Sequence, residues 1–180
     1  MTRLAVVAAL GLALFAACGG GGDKTVAEVG GRQVTQQQLD ALVQHFRREA
    51  QNEGKDFPKE GTRGFVQLRN QLLGLRVYRT ELQQAAKRLG VNVTDGQVNA
   101  RLGAPAGGET EGDTNGDTYA RDTVEAELLK EGIAAKVTRR ITGKTIAERS
   151  ARRNAALATF LARLQRETNV RYEPGYAPGS

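Results

Sequence analysis

From Phe65 onward, Leu68, Leu75, Leu82 and Leu89 recur every seven residues, and Leu72, Tyr78 and the Ala85-Ala86 pair widen the stripe. A strand alternates its apolar positions, so this period demands one long amphipathic helix with a face to bury, stopped at Gly90. A coiled coil would need a second apolar set at every interval. Its absence favours packing inside one domain.

The other segments follow the same helical logic. Thr35 with Gln38, and Thr94 with Gln97, have the spacing of capping boxes. The first opens a helix with Leu39, Leu42, Val43 and Phe46 on one face, fading near Asn52-Glu53-Gly54; the second opens a short helix through Leu102. Residues 54–63 read as a loop, and 103–117, poor in apolar side chains, as a mobile one. A helix resumes near Thr118 with Val124, Leu128, Leu129, Ile133, Val137 and Ile141 along a broad face, weakened at Gly132 by roughly 1 kcal/mol. A last helix, about Lys144 to Glu167, sets Leu157, Phe160, Leu161 and Leu164 against Arg149, Arg152, Arg153, Arg163 and Arg166. Extended pieces are expected at Val26–Val29, at Arg32–Val34 after a Gly30-Gly31 turn, and at Asn169–Tyr172. The fold class is mostly α, one helical domain with a minimal β-sheet.

The first seventeen residues belong to none of this. Arg3 precedes an apolar run from Leu4 to Phe15, whose twelve residues would reach about 18 Å as a helix, short of a hydrocarbon core of roughly 30 Å. Ala16 and Ala17 then precede Cys18, the layout of a cleavable export signal. Phe-Ala-Ala-Cys resembles the bacterial lipobox, with Phe15 where Leu is usual; the resemblance implies a lipid on Cys18 after removal of residues 1–17. The alternative is an ordinary secretory signal with Cys18 a free thiol, although the lone cysteine has no disulfide partner. Residues 18–24, with Gly19 to Gly22, would form a tether of at most about 25 Å, leaving 25–174 as the domain and 175–180 as a disordered tail.

Three segments of that domain, VAEVGGRQVTQQQLD, LLGLRVYRTELQQAAKRLGVNVTDGQVNARL and FLARLQRETNVRYEP, together resemble the SurA and PrsA group of extracytoplasmic chaperones. The resemblance implies that the opening and closing strands pair, so that the sequence-distant ends complete one helical domain. Val26, Val29, Val170 and Tyr172 can supply one apolar sheet face, too small to stand without helices on it. Many members of the group insert a parvulin prolyl isomerase before the closing helix. Only about ten residues separate Ile141 from the next apolar helix here, and the set of histidines, Cys or Asp and aromatics of such a site is missing.

Little else points to chemistry, and no catalytic residue, metal or cofactor is expected. His45 has no second ligand at usable spacing. Asp113, Asn115 and Asp117 alternate like a calcium loop, but Thr118 and Val124 stand where an EF-hand needs Gly and Glu. A formal charge of +6 suits nucleic acid in a cytosolic chain, which the export signal argues against. The arginines of the last helix either meet anionic lipid or polymer or form a solvated face. Phe46, Phe57, Phe65 and Tyr78 gather around the first loop and long helix as core or as an apolar groove. The resemblance implies a tethered extracytoplasmic chaperone binding unfolded or emerging exported polypeptides without catalysis. The alternative is a cell-envelope scaffold that recognises one folded partner.

Overall fold

A computed structural model describes residues 23–103 and 114–178, with the side chains of 114–117 left out. Cys18, the leader, most of the tether and Asp113 therefore lie outside the described residues, as do the side chains of Asn115 and Asp117. The elements run β1 (Thr25–Val29), β2 (Arg32–Thr35), α1 (Gln36–Asn52), α2 (Arg63–Leu89), α3 (Asp95–Leu102), α4 (Thr114–Val137), α5 (Ile146–Glu167) and β3 (Val170–Tyr172).

β1 is the central strand of an antiparallel sheet ordered β2-β1-β3, so the two ends of the domain do pair, with Val29 opposite Val170 and Ala27 opposite Tyr172. The β1–β2 turn places Gly30 at φ 52° and Gly31 at φ 83°, the left-handed values a tight hairpin needs at both central positions. A register shift between Thr25 and Ala27 breaks the strand alternation, and both Val26 and Ala27 are buried.

Threonine caps four of the helices. The hydroxyls of Thr35, Thr62, Thr94 and Thr145 each accept the amide three residues on, and Thr35 and Thr94 form full capping boxes. Gly90 and Gly103, both left-handed, end α2 and α3.

Two hydrophobic clusters lie along α2. The first joins Val26, Val29 and Val34 of the sheet, Leu39 and Val43 of α1, and Leu72, Leu73 and Val77 of α2. Val170 and Tyr172 pack against it, as the apolar sheet face requires. The second joins Leu82, Ala85 and Ala86 of α2 with Leu129 and Ile133 of α4 and Leu164 of α5.

Four expectations change. α4 starts at Thr114, before Thr118, and ends at Val137, so Ile141 lies in the following turn rather than on the helix face. Gly132 is more than a weak helix residue: a Cβ there would lie 2.4 Å from Val91 Cγ1, so the bare backbone is what lets the α2–α3 connection pack on α4. Residues 175–177 are held rather than free. Arg69 donates to the Gly175 carbonyl at 2.6 Å, Asn70 to that of Ala177 at 3.0 Å, and the Tyr176 hydroxyl to Gln36 Oε1 at 2.5 Å. Lastly, the heptad leucines are not one buried stripe, since Leu75 is 52% exposed.

The last difference is a matter of helical phase. Leu73 and Leu82 are nine residues apart, and at about 100° per residue they point in opposite directions. α2 thus buries one face in the first cluster and the other in the second. Of the heptad leucines, Leu68 packs against the first cluster and Leu82 and Leu89 lie in the second, while Leu75 between them is open.

Candidate functional site

The open stretch of that face forms the wall of a groove. A cavity of about 280 Å³ lies between α2 and the first half of α4, lined by Leu75, Tyr78 and Arg79 on one side and by Tyr119, Asp122 and Ala126 on the other, with Leu42 of α1 at its end. A second hollow of about 260 Å³ continues it toward Ala41 and His45, sharing Leu42, Arg76, Tyr119 and Asp122. The floor is apolar and the rim carries both signs of charge.

Ion pairs hold the two helices at this spacing. Arg76 meets Asp122 at 2.8 Å, Arg79 bonds both Asp122 and, at 2.6 Å, Glu125, and Gln83 donates to Glu125 at 3.3 Å. The residues are three or four apart on each helix, which places each set on one face. α3 is tied to α4 in the same way, by Arg121 on Asp95 and Asn99 and by Arg101 on Glu131. Tyr119 is fixed from α1: its ring lies 4.3 Å from that of His45 and 5.3 Å, edge-on, from that of Phe46.

Also on α2, Glu81 is only 4% exposed, and burial raises its carboxyl pKa above the usual range. Its charge adds to the burial that raises the phenols of Tyr78 and Tyr172. Tyr78 packs against the second cluster and Tyr172 against the first, so Glu81 acts on side chains of both.

The four aromatics singled out from sequence do not meet. Tyr78 lines the groove, and Phe46 flanks it through Tyr119 while packing on the first cluster. Phe57 and Phe65 pack edge-on against each other, 6.5 Å apart, against the same cluster, with Arg47 over Phe57, and neither lines the groove. They contribute to the core and not to the groove. Leu75 belongs to the heptad stripe expected to be buried, and Arg76, Tyr119 and Asp122 carry no sequence motif of their own. The matched i, i+3 sets, Arg76 with Arg79 and Asp122 with Glu125, were the signal that α2 and α4 lie side by side.

A model of the SurA-like N-terminal domain family matches residues 1–120, two thirds of the chain. No curated protein matches it.

Proposed function

The chain belongs to the SurA-like N-terminal domain family, a chaperone-type domain, and from that premise we propose that it binds unfolded or emerging exported polypeptides through the groove between α2 and α4, without catalysis. The observation that carries this reading is Leu75, the one large apolar side chain of α2 that is exposed, lining the groove with Tyr78 and Tyr119. The adjoining hollows have room for one or two apolar side chains. Full burial of each is worth about 1.5–3 kcal/mol, so one client segment binds at about the millimolar level and exchanges quickly. Weak contact of that kind tolerates many sequences. The charged rim offers partners of both signs to polar groups beside the anchor.

The lipobox-like Phe15-Ala16-Ala17-Cys18 supports a lipid on Cys18 and an extracytoplasmic position at a membrane surface. Among the described residues no helix is long and apolar enough to cross a membrane. Palmitate labelling of the expressed chain, lost in Cys18→Ser, tests the anchor.

The groove is tested by light scattering of a chemically unfolded protein, with the chain from Asp23 onward, which keeps both clusters entire. Suppression of aggregation at equal to several-fold molar amounts, lost in Leu75→Asp, is the expected result. A variant as effective as the parent rules out the groove. Crosslinking then separates two kinds of partner: many unrelated chains indicate a chaperone, and one stoichiometric folded protein an envelope scaffold.

A further inference from the structure

The charge of +6 is concentrated at one place. Residues 136–153 carry seven cations and one acid, Glu148, so the surplus here equals that of the whole chain and the rest balances to zero. All seven cations are exposed. Among the described residues only Arg152 has a carboxylate partner, Glu148 at 2.5 Å.

The segment is ordered, and Glu148 is what orders it. Its carboxylate accepts the Lys144 amide at 2.8 Å as well as Arg152, while its own amide donates to the Thr145 hydroxyl at 3.1 Å. The one acid therefore ties the α4–α5 connection to the first turn of α5, and six cations are left facing outward. The same end projects. α5 buries only Leu164 fully, with Leu157, Phe160 and Leu161 partly buried beside it, and every residue from 146 to 155 except Glu148 is exposed. These ten helical residues span about 15 Å, with the α4–α5 connection lying against their first turns. At the end of this stretch stands Ile146, 83% exposed.

Charge alone suits any polyanion; Ile146 distinguishes among them. A large apolar side chain at the end of a projecting cationic helix is the arrangement of an interfacial contact, with the cations on lipid phosphates and the isoleucine between headgroups. A polymer of charged units alone offers Ile146 no apolar partner. None of the cavities described above reaches beyond Lys130, so the groove and this end are separate surfaces. We propose that residues 136–153 are a peripheral docking point for the surface of an anionic phospholipid bilayer. The contact is independent of the groove and of any lipid on Cys18.

The test is co-sedimentation of the full chain with vesicles of equal parts phosphatidylglycerol and phosphatidylcholine, against vesicles of phosphatidylcholine alone. Apolar contacts elsewhere in the chain enter both measurements alike, so the difference reports the cationic surface. Each cation near such a surface contributes about fivefold in partition. With about three of the cations at the surface at once, the expected result is an excess on the anionic vesicles of about a hundredfold, collapsing at high salt. The combined variant Arg139→Gln, Arg140→Gln, Arg149→Gln, Arg153→Gln should remove most of it, and Ile146→Ser about tenfold, with helical circular dichroism and melting temperature unchanged. Should the fourfold variant fail to fold, Ile146→Ser and the salt dependence decide. Equal binding to both vesicle types, or an excess that survives the arginine substitutions, overturns the proposal. So does unaltered binding by Ile146→Ser combined with displacement from the vesicles by polyglutamate, which would make the tip a polyanion site.

Discussion

The two clusters along α2 are made of different material. The first encloses side chains between a sheet and two helices, and it holds five of the seven largest fully buried ones: Val26, Val29, Val34, Leu39 and Leu73. The second contains only Leu82 and Ile133 of that set. Ala85 and Ala86 let the helices approach but bury little area, and α5 adds one buried residue. Enclosure from three directions seals a side chain, whereas helices meeting along a line leave much of each surface half-covered. The thin cluster is also the one from which the charged end of α5 projects.

The largest expected effect tests this contrast directly. Leu73→Ala should cost about 3–5 kcal/mol, because the sheet and α1 cannot collapse into the cavity, and Leu164→Ala about 2–3 kcal/mol at the edge of the second cluster. Denaturant melts measure both. Amide exchange should quicken throughout the chain in the first variant and mainly in α5 in the second. Equal losses with uniform exchange would mean that the clusters act as one.

Gly132→Ala sharpens the picture of the second cluster. Replacing an interior helical glycine normally gains up to about 1 kcal/mol, but here the added methyl meets Val91 Cγ1 at 2.4 Å. Overpacking should turn the gain into a net loss of about 1–3 kcal/mol. Adding Val91→Ala should recover most of it, as a double-mutant cycle would show. A stabilised single variant would show this contact to be soft.

How much of this was readable in advance depends on whether the signal was local. Thr35-Gln38, Thr94-Gln97, Gly30-Gly31 and Gly90 fix helix starts, a turn and a stop through bonds within a few residues, and each lies where the pattern placed it. The pairing of β1 with β3 came with the family resemblance rather than from propensity. The phase change on α2 was not legible. A seven-residue repeat says which leucines share a face, and nothing about which neighbour covers that face at each turn. Leu75 therefore looked like core, and Tyr119, directly after a polar stretch, drew no notice. The tail was misjudged for a related reason, since Tyr176 is held by Gln36 and Arg69, far away in sequence.

Glu81 lies where the clusters meet, between Tyr78 on the second and Tyr172 on the first. Burial raises its folded-state pKa above the value in the unfolded chain, so the folded state holds the proton more tightly. The resulting stability is complete below the usual carboxylate pKa and is lost as pH rises through the raised one. At neutral pH the ionised group opposes folding. Glu81→Gln should thus be more stable than the parent at neutral pH and equal to it in acid, as melts across that range would show. A less stable variant at neutral pH would mean that the carboxylate bridges the clusters as an acceptor.

The smallest effect belongs to the sealed cluster, at its outer edge. Tyr176→Phe deletes the 2.5 Å bond to Gln36 but leaves the ring under the Arg69 guanidinium, 4.3 Å away. Gln36 is only partly buried and water can replace the hydroxyl, so the loss should be about 0.5–1 kcal/mol. Tyr176→Ala should cost more, because the ring covers apolar side chains of the first cluster. Thermal melts give the two costs, and amide exchange in β1 shows where they fall. If the first cluster is sealed by its own strands and helices, β1 protection should barely change in Tyr176→Phe; a marked loss would make the tail part of the seal, and the contrast between the clusters would then depend on residues that follow the last strand.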